Sequence, residues 1–144
     1  MKPHDFIESL EEDRIVRAIA EAERKTSGEI RVCISHRRRI DALDAARRRF
    51  EKLGMERTRL RNAVLLFFVP STRQFAVWGD SGVHAKCGET FWNGIVGEMS
   101  PLLKSGRGTD AVVLAVSRIG DVLAQHFPPD PEDRNELPDK VVRD

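Results

Sequence analysis

The chain of 144 residues has no tyrosine, two cysteines, two tryptophans and almost no net charge, 24 Lys+Arg against 23 Asp+Glu leaving +1. Each shortage excludes something. Two thiols make no disulfide framework, and a chain of this length can bury a core without staples. A near-zero net charge removes the global field that recruits nucleic acid or an anionic membrane. The longest apolar run, Ala63 to Val69, is seven residues, far short of the roughly 20 that a membrane helix needs. The opening MKPHDFIESLEED lacks the apolar segment of a secretory leader. The expectation is a soluble cytoplasmic protein with reduced thiols, no nucleic-acid partner and no membrane insertion.

What is present is a clear succession of patterns. The run Ala63 to Val69 suits a strand covered on both faces, and Arg73 to Trp78 alternates, so a second strand returns antiparallel through Pro70-Ser71-Thr72. Ser9 and Glu12 have capping-box spacing ahead of a helix with Ile15, Val16, Ile19 and Ala20 on its apolar face, stopped by Gly28. Glu29 to Ser35 alternates as a strand, and Asp41 caps a helix carrying Leu43, Ala46, Phe50 and Leu53 that Gly54 ends. Strand, helix and buried strand make a βαβ unit with parallel strands and a right-handed crossover. Ser81 to Gly88 reads as a glycine-bearing loop. Phe91 to Leu102 reads as a third helix kinked or ended near Pro101, and a fourth, capped by Thr109 or Asp110, carries Val112, Val116, Ile119 and Leu123. The fold class is α/β, a small mixed sheet with about four helices. Residues 1–127 form one domain, and 128–144 a proline-rich acidic tail that is irregular or laid along the surface.

Strand polarity carries the functional argument. With the strands from Glu29 and Asn62 parallel and the strand into Asp80 antiparallel, Glu29, Asn62 and Asp80 all fall at one end of the sheet, beside the loop residues Gly79, Ser81, Gly82 and His84. Two carboxylates and an amide oxygen could hold a hard cation, calcium or magnesium, with carbonyls and water completing the shell. The plainer alternative is that Asp80 caps its own turn and Glu29 is a solvated strand end. Cys33-x-x-His36 and His84-x-x-Cys87 have zinc-like spacing, but lie at opposite ends of the strands. Cys33 to Arg39 matches the C-x5-R spacing of cysteine phosphatases, without the glycine that a phosphate loop needs. The arginines around 37–39 and 47–49 read as a solvated face. Phe91 and Trp92 cannot both face inward, so Trp92 or Trp78 could offer a contact surface, with core packing the ordinary role. No Ser-His-Asp order, Walker loop or dinucleotide fingerprint occurs.

Six stretches in order resemble one known family. They are Thr26-Ser27-Gly28-Glu29-Ile30-Arg31-Val32, Leu53-Gly54-Met55 with Thr58, Arg61-Asn62-Ala63-Val64-Leu65-Leu66-Phe67, Phe75-Ala76-Val77-Trp78-Gly79-Asp80-Ser81-Gly82, Phe91-Trp92, and Asn135-Glu136-Leu137-Pro138-Asp139. Together they look like the TPM-domain, thylakoid-lumen phosphatase-like family, in its short stand-alone bacterial form. The resemblance implies a three-layer α/β/α sandwich. It also implies a choice of roles: acid phosphatase, divalent-cation (calcium-type) binding module, or accessory factor for membrane complexes. Longer members carry an acidic residue before the asparagine and a Gly-x-Gly after the next strand; here Arg61 precedes Asn62, and Gly79-Asp80-Ser81 follows. The leading reading is thus a non-enzymatic cation-binding or accessory interaction module with a protein partner. The alternatives are a metal-assisted phosphatase of phosphomonoesters and a pure protein-interaction domain.

Overall fold

The computed structural model describes residues 11–37, 40–69, 74–129 and 141–143. All seven residues of the strand Ala63–Val69 (β2) are buried, as their unbroken apolar run requires. It pairs in parallel with β1 (Glu29–Ile34), Glu29 opposite Ala63, and antiparallel with β3 (Gln74–Gly79), Val64 opposite Gly79. A two-residue strand β4 (Val142–Arg143) adds in parallel to the outer side of β1, so the order is β3-β2-β1-β4.

Alternation along the strands divides the core into two layers. Ile30, Val32, Ile34, Val64, Leu66, Phe68 and Val77 face α1 (Glu12–Arg24), α4 (Glu89–Lys104) and α5 (Gly108–His126). Cys33, Ala63, Leu65, Phe67 and Ala76 face α2 (Ala42–Lys52) and the 3-10 turn Met55–Arg57. The result is the expected α/β/α sandwich, helices on both faces of a mixed sheet. Burying each large side chain of β2 contributes roughly 1.5–3 kcal/mol, which makes this strand the centre of the fold.

Several local expectations change. Ser81–Cys87 is not a loop but a helix, α3, so five helices are present among the described residues. Asp80 accepts from the Ser81 N–H at its start, and Gly88, with φ 72°, ends it where a left-handed residue is needed. The helix carries no periodic apolar signal because only Val83 is buried. Pro101 lies inside α4 without ending it. Asp41 caps α2 as expected, through Leu43 N and Asp44 N, but Leu43 points outward and is 53 % exposed; Ala42, Ala45, Ala46 and Phe50 form the buried stripe. On α1 that stripe is Ile15, Ile19 and Ala22, and α5 starts without a side-chain cap from Thr109 or Asp110. Thr109 instead accepts from the Glu11 N–H (3.1 Å), and Asp110 from Arg14 (3.0 Å). The tail is not irregular throughout, since β4 belongs to it. The proposed cap at Ser9, the turn at Pro70-Ser71-Thr72 and the stretch from Asn135 to Asp139 lie outside the described residues.

Helices α1 and α5 run side by side in the same direction, Glu11 meeting Thr109 at one end and Ala22 meeting Gly120 further along. A Cβ on Gly120 would lie 2.7 Å from the Ala22 Cβ. In an exposed helix, alanine for glycine stabilises by about 1 kcal/mol. Here we expect Gly120→Ala to destabilise in urea unfolding, and Ala22→Gly in the same chain to recover part of the loss; a gain from Gly120→Ala alone would contradict the close helix contact.

Candidate functional site

The sheet end where β1 and β2 begin and β3 finishes brings three of the sequence candidates together. The Glu29 N–H donates to the Asn62 carbonyl (3.3 Å), and the Asp80 N–H to that of Ala63 (2.9 Å). Their side chains do not all project from one face of the sheet. Asn62 is buried, and its Nδ2 donates to Ser27 Oγ (3.3 Å) while its own N–H donates to Thr58 Oγ1 (3.3 Å). By strand alternation it falls with Val64 and Leu66, on the face opposite Ala63. Glu29 falls on the Ala63 face and is not a solvated strand end: it is 2 % exposed.

Asp80 is the most constrained group of the set. Its side chain is 5 % exposed and forms a two-pronged pair with Arg61: Nε donates to Oδ2 (2.8 Å) and Nη2 to Oδ1 (2.9 Å). The Ser81 N–H donates to Oδ1 as well (2.7 Å). Both oxygens are thus engaged by a fork that matches carboxylate geometry. Arg61 is itself held in a left-handed conformation, φ 53°, which is uncommon for a residue with a Cβ. The pairing raises the guanidinium pKa, the hydrogen bond that Arg61 donates to Asp80 being the largest cause. Behind the pair, a Cβ on Gly82 would come within 2.5 Å of the Leu60 carbonyl oxygen and 2.6 Å of that of Arg61. Only a residue without a side chain lets α3 approach the 60–61 backbone this closely.

The other candidates are accounted for separately. Gly79 ends β3, Ser81 and His84 are exposed, and the His84 N–H donates to the Asp80 carbonyl (2.9 Å) as part of α3. Among the described residues no group of three or more His, Cys, Asp or Glu side chains is placed to hold a metal. Cys33 and Cys87 are separate free thiols, Cys33 buried under α2. Burial pushes the Cys33 thiol up to about 11, against the opposing pull of Arg49, Arg31 and Arg37. Arg47 and Arg48 pair along their own helix with Asp44 (2.8 and 3.1 Å). Trp92 is buried, whereas Trp78 is half-buried.

Two residues escaped the sequence reading. Arg61 drew notice only as a departure from the longer family members, although the hairpin register places it diagonally across from Asp80. Glu56 carries no sequence pattern that marks it; it lines, with Arg61 and Asp80, a groove of about 1390 Å³ along β3, and its Oε2 is buried without a hydrogen-bond partner among the described residues.

A three-layer α/β/α sandwich built on a small mixed sheet is the class of domain. The TPM-domain family model matches residues 1–122, and the chain belongs to that family. Among solved structures it is similar to the BA42 protein from the psychrophilic bacterium Bizionia argentinensis, at 33 % identity and a TM-score of 0.85 over 92 % of each chain. The N-terminal domain of a P. gingivalis protein shares the fold alone, at 17 % identity and a TM-score of 0.63 over 82 % of this chain and 76 % of that one. No curated protein matches the chain. No helix among the described residues is long and apolar enough to cross a membrane.

Two measurements follow. Arg61→Ala should lower the melting midpoint by several degrees in wild type, because it leaves a buried carboxylate uncompensated, and by far less in an Asp80→Asn background; equal losses in both would show that the pair is not coupled. The raised thiol means that the folded state binds the Cys33 proton more tightly than the unfolded state does. Its contribution is complete below pH 9 and declines as pH rises from 9 through about 11, by roughly 2–3 kcal/mol over that span. Unfolding curves between those pH values should therefore fall less steeply in Cys33→Ala.

Proposed function

We propose that this protein is a non-enzymatic TPM module that acts by binding, an accessory interaction domain in a cytoplasmic setting with its two thiols reduced. The observation that carries this reading is the engagement of Asp80. A metal-assisted phosphatase at this sheet end needs that carboxylate as a ligand or base, and its oxygens are bound by Arg61 and the Ser81 N–H. Trp78 and Leu43, apolar and partly open, line the groove beside it, and such exposed apolar side chains beside a polar anchor suit a partner surface.

A second reading is favoured by the exposure of Arg61, whose side chain is 51 % open. It could swing out and yield Asp80 to a calcium-type cation, with Glu29 on the same face of the sheet, Ser81 and main-chain carbonyls near Gly82 as further oxygens, the Asn62 amide being turned to the other face. Two carboxylates on one cation give weak binding at best.

Melting of metal-stripped protein with millimolar calcium or magnesium separates the two, because a ligand of the folded state raises the midpoint by mass action. We expect no rise in wild type, and no hydrolysis of p-nitrophenyl phosphate with either ion. A rise that disappears in Asp80→Ala establishes the cation site. Metal-dependent turnover lost in the same variant makes the protein an enzyme and sinks the binding reading.

A further inference from the structure

The two edges of the sheet are treated differently. On the outer side of β1, the Glu23 carboxylate accepts from the Ile30 N–H (2.9 Å), and β4 pairs opposite Cys33 and Ile34. That edge is closed by a side chain and a strand. The edge of β3 has neither among the described residues. Asp80 bonds toward β2 through Ala63, so by antiparallel alternation Trp78 and Ala76 also face β2, while the N–H and C=O groups of Phe75, Val77 and Gly79 face outward. Gln74 to Gly79 pairs with β2 without a bulge, and contains neither a charge nor a proline. Natural sheets normally protect a free edge by one of those devices. In a chain with 33 % charged residues, an apolar, regular edge that none of the described residues covers is a feature to be explained.

The surroundings have the shape of a missing strand. The groove of about 1390 Å³ follows β3, with Leu43 and Glu51 of α2 on one side and Asn93 and Val96 of α4 on the other. Its lining is acidic. Asp41, Glu51, Glu56 and Asp80 stand against Arg61 and His84; Asp80 holds Arg61, Asp41 caps α2 and Glu51 stands 3.8 Å from the half-exposed Arg47 of its own helix, so the lining keeps an acidic excess. The Glu56 Oε2, buried without a hydrogen-bond partner among the described residues, lacks a donor that an incoming ammonium or guanidinium group could supply.

We infer that the free edge of β3 is a docking slot for an extended segment of a partner protein with alternating apolar and Lys or Arg side chains, which adds to the sheet beyond β3. The main chain of the segment bonds to Phe75, Val77 and Gly79, its apolar side chains lie against the helix walls, and its cations meet Glu51 and Glu56. Strand addition of this kind takes affinity from the main chain and specificity from alternate side chains. A second copy of this chain is disfavoured by the same lining, because it would bring two acidic grooves together. The inference rests on the reading of the protein as a binding module.

The test is amide hydrogen exchange of the full chain with a blocked ten-residue peptide alternating valine and lysine, and with its valine–glutamate counterpart. The lysine peptide should slow exchange at Phe75, Val77 and Gly79, and the glutamate peptide should not. The same lysine peptide N-methylated at alternate residues, so that its main chain cannot pair with the β3 edge, should fail to bind. Exposed Glu51→Lys, which leaves the strand untouched, should weaken binding of the unmodified lysine peptide about tenfold or more. The inference is overturned by equal binding of the two peptides, by no protection of the three amides, or by protection that grows with protein concentration in the absence of peptide, which would make a second copy the occupant. Peptide shifts confined to the Asp80 end would leave the binding module standing and remove the slot. Loss of the module reading itself shows separately, as turnover in the phosphatase assay.

Discussion

Burial of β2 on both faces is the constraint from which the rest of the structure follows. A strand of seven apolar residues admits no solvent face, so helices must cover the sheet twice, and each neighbouring strand must alternate to serve both layers. β1 meets this with Ile30, Val32 and Ile34 on one side and Cys33 on the other. The same requirement fixes the ends. Parallel β1 and antiparallel β3 place the starts of two strands and the finish of a third together, and polar residues collect there because the apolar strand has run out.

At that end a polar cluster is buried, and its members are stabilised by pairing with one another. Asn62 ties the Ser27 turn to Thr58. Thr26 in turn donates to the Phe127 carbonyl, which also accepts from the Ser27 N–H (2.9 Å), joining the end of α5 to the start of β1. Asp80 is both the cap of α3 and the partner of Arg61. A carboxylate with so little exposure needs a compensating charge, and the chain supplies its own. That is why the sheet end reads as an anchor for the β3–α3 connection, and why binding is assigned to the open edge beside it.

Much of this was legible from residue patterns alone. The alternation in Glu29 to Ser35, the unbroken run Ala63 to Val69 and the polar interval between them carried the sheet, its polarity and the meeting of Glu29, Asn62 and Asp80. Three things were not legible, for physical reasons. Helix α3 packs through one valine and close backbone contact at Gly82, so it has no amphipathic period to read. β4 is two residues long and gains its structure only from the β1 edge. The Arg61–Asp80 pair joins residues 19 positions apart through a left-handed backbone, and no local propensity foretells that. The plainer reading of Asp80 as a cap was right about its bond to Ser81, while Glu29, expected as a solvated strand end in that reading, is buried.

The central claim is that Asp80 is bound by Arg61 and so is unavailable to metal or substrate. It is tested most directly by the NMR signal of the Arg61 Nε proton in the free protein and during a calcium titration. A guanidinium fixed by a buried carboxylate should give a slowly exchanging, downfield-shifted resonance that is lost in Asp80→Asn and does not move with calcium. A rapidly exchanging signal in the wild type, or one that calcium abolishes, would show that the carboxylate is free to take a cation and would contradict the account.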